Sequence, residues 1–447
     1  MSLWSNIKLL IDNPMIEELN FPAGCHLFGR WQDGDLEAEK RLKEIFDGTI
    51  AGDYDKVFVN NEPKYGVQAS ASINLFVLGV LSKFYGLDSA EAYKGDAKRY
   101  VRVSLMIRKL LGLPKLYIEW PVYAFTAEAL GAVMMYPDGA PPGTDPGMPL
   151  INHDNWQNLS TPAMDSEIPK LFDDILECYQ ELTGLEPVLH LTAPYSLAAD
   201  IYGQAELVTA LSDEPEHVNE LLDHLVDVVL RPWADHFFEK FPNGWLELSD
   251  ASGSPFFIGP EKCRDMAIRS IHRLKDENEW GARVYDANYR GDYVTQAVKA
   301  ARASRRRSTP QKDHSTDLSF AELCDIKQDV CTDYVMRLHD DRMPLHLYHD
   351  KAIERNVPIF IGIGASQIDR NSIADLALAK EEITTLSAEY VDSIKTAANT
   401  IADNGYDARV PPWPGAIYFE DVSANTNMEI MEIIIGAALS QGTLKDE

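Results

Sequence analysis

PVLHLTAPYSLAADIYGQAELVTALSDEPEHVNELLDHLVDVVL, residues 187–230, reads as an apolar strand, a small-residue turn, a helix, a proline-marked break and a second amphipathic helix. Val218, Leu221, Leu222, Leu225, Val228 and Val229 recur at helical spacing, which predicts a helix over 213–230 with one apolar face turned to a core. This is a βα unit, and the same alternation recurs along the chain. Strands are expected at 56–60 (KVFVN), 115–120 (KLYIEW), 187–191, 244–248 (GWLEL), 282–286 (ARVYD), 358–363 (PIFIGI) and 408–410 (ARV), with another between 313 and 335. Short strands separated by longer helical patterns are the signature of parallel strands joined by right-handed crossovers. The expected fold class is α/β, a (β/α)8 TIM barrel forming a single domain over 1–447, with an N-terminal extension (1–55) and inserted loops. The most conspicuous insertion is 137–162, where repeated Pro and Gly disfavour helix and point either to an ordered loop or lid over the strand ends or to a plain connector.

The 447 residues carry 41 basic against 70 acidic side chains, a formal charge of −29. Such a surface disfavours phosphate backbones and anionic membranes as partners, and suits basic proteins or neutral and cationic ligands. No basic region followed by a long apolar run opens the chain and no stretch reaches membrane-spanning length, so a cytoplasmic location is expected. Cys25, Cys178, Cys263, Cys324 and Cys331 are odd in number and scattered, which predicts reduced thiols and no CxxC metal site.

The order of several motifs resembles the uroporphyrinogen decarboxylase superfamily. Ala193-Pro194-Tyr195-Ser196 matches its turn after a strand, and Pro215-Glu216 with Val218, Leu221, Leu222 and Asp223 matches the helix that follows. Upstream, AFTAEALGAVMMYPDGAPP (124–142) is similar to the family's Glu-Ala-Leu-Gly stretch. Downstream, DASGSPFFIGPEKCRDM (250–266), RVYDANYRGD (283–292), FIGIGASQID (360–369) and SANTNMEIMEIIIGAAL (423–439) follow in the family's order. The resemblance spans roughly 100–440 and implies a barrel whose site lies at the C-terminal ends of the strands.

The superfamily holds both porphyrinogen decarboxylases and corrinoid-dependent methyltransferases. The decarboxylase residues are missing at matched positions: Val122 stands for the pyrrole-binding aspartate, Asp200 for the tyrosine and Pro414 for the histidine, and the N-terminal loop offers only Gly29-Arg30-Trp31. The thiol-activating zinc motif is also absent, with Asn288 and Arg290 in place of His-x-Cys and no Cys in 410–415. What remains implied is demethylation of a small methylated substrate, such as a methoxylated aromatic, with transfer to a corrinoid on a partner protein. That chemistry needs a Lewis or general acid at the leaving group.

Candidates for these roles lie at expected strand ends. Asp286 and Asp250 are read as acid or metal ligand, and Tyr289 and Arg290 as stabilisers of the leaving oxygen. Tyr123, Tyr195 and Trp413, with Trp120 nearby, are read as ring contacts or a cage for a quaternary ammonium. Glu119, His190 and Glu247 complete the substrate side, where carboxylates and one imidazole could also bind a hard or borderline metal such as zinc. Competing readings put Glu119 and Glu247 in wall ion pairs, His190 in the core and Arg290 in a pair with Asp292. The run 302–307 (RASRRR) suits a helix C-terminus, HDDRMPLHLYHD (339–350) a solvated helix face, and Gly362-x-Gly364 close backbone approach to a ligand. The family habit also implies a homodimer. A porphyrinogen decarboxylase and a non-catalytic barrel binding a ligand or corrinoid protein are the alternatives.

Overall fold

The computed structural model describes residues 19–59, 67–114, 118–286, 325, 335–337, 345–405, 415–419 and 422–441. In chain order its strands are β1 (Gln68–Ala71), β2 (Met134–Met135), β3 (Gly143–Thr144), β4 (Val188–Thr192), β5 (Trp245–Ser249), β6 (Val284–Asp286), β7 (Val335–Arg337), β8 (Ile359–Ile363) and β9 (Gly415–Phe419). β2 and β3 form a small antiparallel ladder. The other seven run parallel in two sheets, ordered β1-β9-β8-β7 and β4-β5-β6, and helices lie between the successive strands within the described residues from β4 to β6 and from β7 to β9. Every residue of β4 and β8 is buried, as parallel strands covered on both faces require.

The segment Ile118–Trp120 spans the gap between β1 and β4 without joining a ladder. Glu119 Oε2 accepts the Ile73 N–H (2.9 Å) just after β1, and Trp120 Nε1 donates to His190 O (3.2 Å) in β4. The architecture is thus α/β with parallel strands, but the described residues do not make up a complete eight-stranded barrel.

Strand expectations at 187–191, 244–248 and 358–363 agree with β4, β5 and β8 to within a residue. Over 282–286, a 3-10 turn (Gly281–Arg283) precedes the shorter β6. The expected strand at 56–60 is a 3-10 turn, Asp55–Phe58, because Arg102 clamps the Asp55 carboxylate with two hydrogen bonds (2.9 and 2.7 Å) at its start. The first strand among the described residues, QASA, escapes notice because Ala69, Ser70 and Ala71 are small. Residues 408–410 lie outside the described residues.

The helix expected over 213–230 runs instead from Pro215 to Leu225, widens into a π turn at Val226–Leu230 and continues from Arg231 to Lys240. Pro232 has no N–H to give the Val228 carbonyl, which accepts the Thr161 hydroxyl instead (2.7 Å). That bond ties the 137–162 insertion, an ordered loop that carries β3 and begins just after β2, to this helix.

Helices Ala23–Gln32 and Leu36–Ala51, within the expected extension, pack into the body. The Gln32 amide donates to Ala424 O (2.9 Å) and Thr426 O (2.8 Å) near the C-terminal helix. Among the described residues no helix is long and apolar enough to cross a membrane.

Candidate functional site

In register across the second sheet, His190 pairs with Glu247 and Glu247 with Tyr285, so three polar residues share one row on one face of β4, β5 and β6. His190 Nε2 lies 2.6 Å from Ser249 Oγ and 3.0 Å from Glu247 Oε1, and the Tyr285 hydroxyl donates to Glu247 Oε2 (2.8 Å). Glu119 extends the set: its Oε2 accepts from Arg108 Nη2 (3.0 Å) as well as from Ile73 N–H. Burial pushes the Glu119 carboxyl above the usual range, while Arg108, the Ile73 N–H and His190 pull it back. Burial, reinforced by the Glu247 charge, raises the Tyr285 phenol well above its ordinary value. Glu119 thus lies in an ion pair with Arg108, whereas Glu247, among the described residues, meets His190 and Tyr285 rather than a Lys or Arg. Residues Glu119, Glu247 and His190 retain 5%, 5% and 8% exposure, so the row is not wholly sealed.

Beyond β5 the chain makes a tight turn. Asp250, fully buried, accepts the Ser196 hydroxyl (2.7 Å) and the Gly253 N–H (2.9 Å) on Oδ1; its buried Oδ2 has no partner among the described residues. Burial raises this carboxyl to about 6, and the Ser196 and Gly253 hydrogen bonds restrain the rise. Position 253 takes glycine because a Cβ there would sit 2.3 Å from Asp250 Oδ2. Ser196 also accepts the Ser252 N–H (2.9 Å), and the Tyr123 hydroxyl accepts the Ala251 N–H (3.2 Å).

Tyr195 is fully buried, and its hydroxyl, without a partner among the described residues, feels the Asp250 charge. Trp120 lies in the wall, stacked on Phe172 with centroids 4.3 Å apart, and not at a rim. Asp286 ends β6 opposite Leu248, two residues before Asp250. Tyr289, Arg290, Asp292 and Trp413 lie outside the described residues, as do Asn288, 302–307, His339, Asp340, Asp341 and Pro414. His346 is exposed on helix Leu345–Arg355, as expected of a solvated face; Gly362 lies inside β8 and not in a loop.

Sequence reasoning passed over Arg108, Ser196, Ser249 and Tyr285. It took Asp200 only as a departure from the family pattern, although burial and the Asp250 charge push the Asp200 carboxyl well above its ordinary value. A lone aspartate in the otherwise apolar helix PYSLAADIY was the available signal. Among the described residues no group of three or more His, Cys, Asp or Glu is placed to hold a metal ion.

No family model matches the chain, and no curated protein matches it. Among solved structures, a methyltransferase from Methanosarcina mazei superposes with a TM-score of 0.54 at 12% identity, over 88% of this chain and 97% of that one. At that identity the likeness is one of fold: this chain shares the architecture of a methyltransferase.

Proposed function

We propose that this chain is a methyltransferase of a corrinoid-dependent system, removing a methyl group from a small methylated substrate, such as a methoxylated aromatic, for transfer to a corrinoid protein. The fold neighbour, itself named a methyltransferase, supports this reading. So does the position of Asp250 and its turn just beyond the C-terminal end of β5, where such folds keep their chemistry. In the same reading the two sheets and Ile118–Trp120 belong to one (β/α)8 barrel, a single domain, and the cytoplasmic protein is a homodimer.

The observation that carries the proposal is Asp250, a buried carboxyl raised to about 6 whose Oδ2 lacks a partner among the described residues. An ether or similar methyl donor leaves poorly unless its heteroatom is protonated as the bond to carbon breaks. A carboxyl titrating near neutrality and sealed from bulk water suits that task. The corrinoid, carried by the partner protein, supplies the electron pair to which the methyl group moves, so this chain need not ligate it. Its own contribution is to orient the donor and place a proton on the leaving atom. Asp250 and Asp286 are assigned the proton, Tyr289 and Arg290 the leaving oxygen, and Tyr123, Tyr195 and Trp413 the ring. His190, Glu247 and Glu119 form the polar floor. No described cluster fits zinc, and no step is assigned to it.

The test is methylation of a Co(I) corrinoid, followed by its absorption spectrum, with a broad panel of methyl donors. Turnover with one donor and a loss of at least about a hundredfold in Asp286→Asn are expected, the lower end of general-acid effects. Silence across the panel would refute the proposal, with donor binding but no turnover pointing to a binding barrel and turnover of uroporphyrinogen to a decarboxylase. An undiminished Asp286→Asn would remove that residue from the scheme.

A further inference from the structure

Helix Pro194–Tyr202 meets the turn 250–254 along one face. Ser196 bonds Asp250 and Ser252, and Gln204, two turns on in the next helix, accepts the Ser252 hydroxyl (3.3 Å). Asp200 stands four residues beyond Ser196 in the same helix, one turn on along the face that carries the Ser196–Asp250 bond. Its Oδ2 is buried without a partner among the described residues, as are Asp250 Oδ2, the Tyr195 hydroxyl and the Ser254 hydroxyl.

Among the described residues no cation acts on either carboxyl: Asp200 responds to burial and to Asp250, and Asp250 to burial and its hydrogen bonds. The ionisable groups on the surrounding elements are engaged elsewhere or uncharged. Glu128 pairs with Lys94 and Tyr136, Arg269 with Asn219 and Asp223, and Lys262 with Leu211 O. His217 meets the Tyr202 hydroxyl, Glu206 lies against Gly203, Tyr123 accepts from Ala251, and Cys263 is a buried thiol. Two neighbouring carboxylates in such surroundings cannot both stay ionised without a large penalty.

We propose that Asp200 and Asp250 share a single proton, with Asp200 as the neutral member that stores it behind the acid. Asp200 is then a positioning residue, and its use in turnover rests on the methyltransferase reading above. When the leaving oxygen takes the proton, it passes from Asp200 through Asp250, and both carboxylates stay ionised until the pair regains one proton from solvent as product departs. The doubly ionised state is thus confined to turnover.

The proton can be read without turnover. Infrared spectra of the full-length protein near neutral pH, in H2O and D2O, are compared for wild type, Asp200→Asn and Asp250→Asn. The wild-type minus Asp200→Asn difference should contain one carboxylic-acid carbonyl band that shifts on deuteration. In Asp250→Asn that band should persist at a displaced frequency, because its neighbour has changed. A difference spectrum without an acid band overturns the proposal. Should Asp200→Asn not fold, a band unmoved by Asp250→Asn does so. An Asp200-dependent band in a protein that transfers no methyl group supports the shared proton and counts only against the function proposed above.

Discussion

Asp250→Asn tests the electrostatics of the site most directly, because asparagine keeps the shape and the Oδ1 acceptor for Ser196 and Gly253 while removing the ionisation. In the folded chain this carboxyl moves from 3.8 to about 6, roughly two units. At 1.36 kcal/mol per unit, ionising it in place costs on the order of 3 kcal/mol. The folded state holds the proton more tightly than the unfolded one. Wild-type stability should therefore fall as pH rises from 3.8 to about 6 and level off above, with the neutral acid's full contribution present below that window. Burial and the Asp250 charge both raise the Asp200 carboxyl, so Asp250→Asn relieves part of that rise and the comparison reads the two carboxyls together. Denaturant unfolding of both proteins across the window should show wild type losing about 3 kcal/mol relative to Asp250→Asn. Parallel profiles would mean that Asp250 titrates as an ordinary carboxylate, and the acid assigned to it would lose its basis.

Arg108→Met leaves the Glu119 carboxylate buried without its guanidinium and should cost about 3–5 kcal/mol in unfolding free energy. Adding Glu119→Gln should recover much of that loss, and absence of recovery would show that Arg108 acts mainly through its bonds to Ala71 O and Pro114 O. Gly253→Ala drives a methyl group toward Asp250 Oδ2, so a loss of about 1–3 kcal/mol is expected by the same unfolding assay; an unchanged midpoint would show that the turn yields freely. Thr161→Val removes the hydroxyl that serves the Val228 carbonyl. It should cost about 1 kcal/mol and raise proteolytic cleavage within 137–162, whereas unaltered cleavage would show that other contacts hold the insertion.

Much of the architecture is legible in the chain because parallel strands and their covering helices impose local patterns. IFIGI is a continuous apolar run because both faces of its strand are covered, and the spacing of Val218, Leu221, Leu222 and Leu225 marks a helix with one buried face. Local pattern fails where a distant residue decides. KVFVN looks like a strand until Arg102, 47 positions from Asp55, clamps the start of the turn. QASA becomes a strand only because β9 lies beside it. Pro232 is visible in the sequence, but the carbonyl it leaves unserved finds Thr161 only in the folded chain.

The same division runs through the site. From sequence alone came the acidic residues near the expected strand ends, the small-residue turn after β4 and the absence of the decarboxylase and thiol-zinc motifs. Only the tertiary structure decided that Glu119 pairs with Arg108, that Glu247 binds both His190 and Tyr285, and that the Asp250 charge reaches a buried Asp200 with no described cation acting on either. Residue type and spacing are local properties. The protonation state of a carboxyl depends on desolvation and on charges brought from afar, and those exist only once the chain has packed.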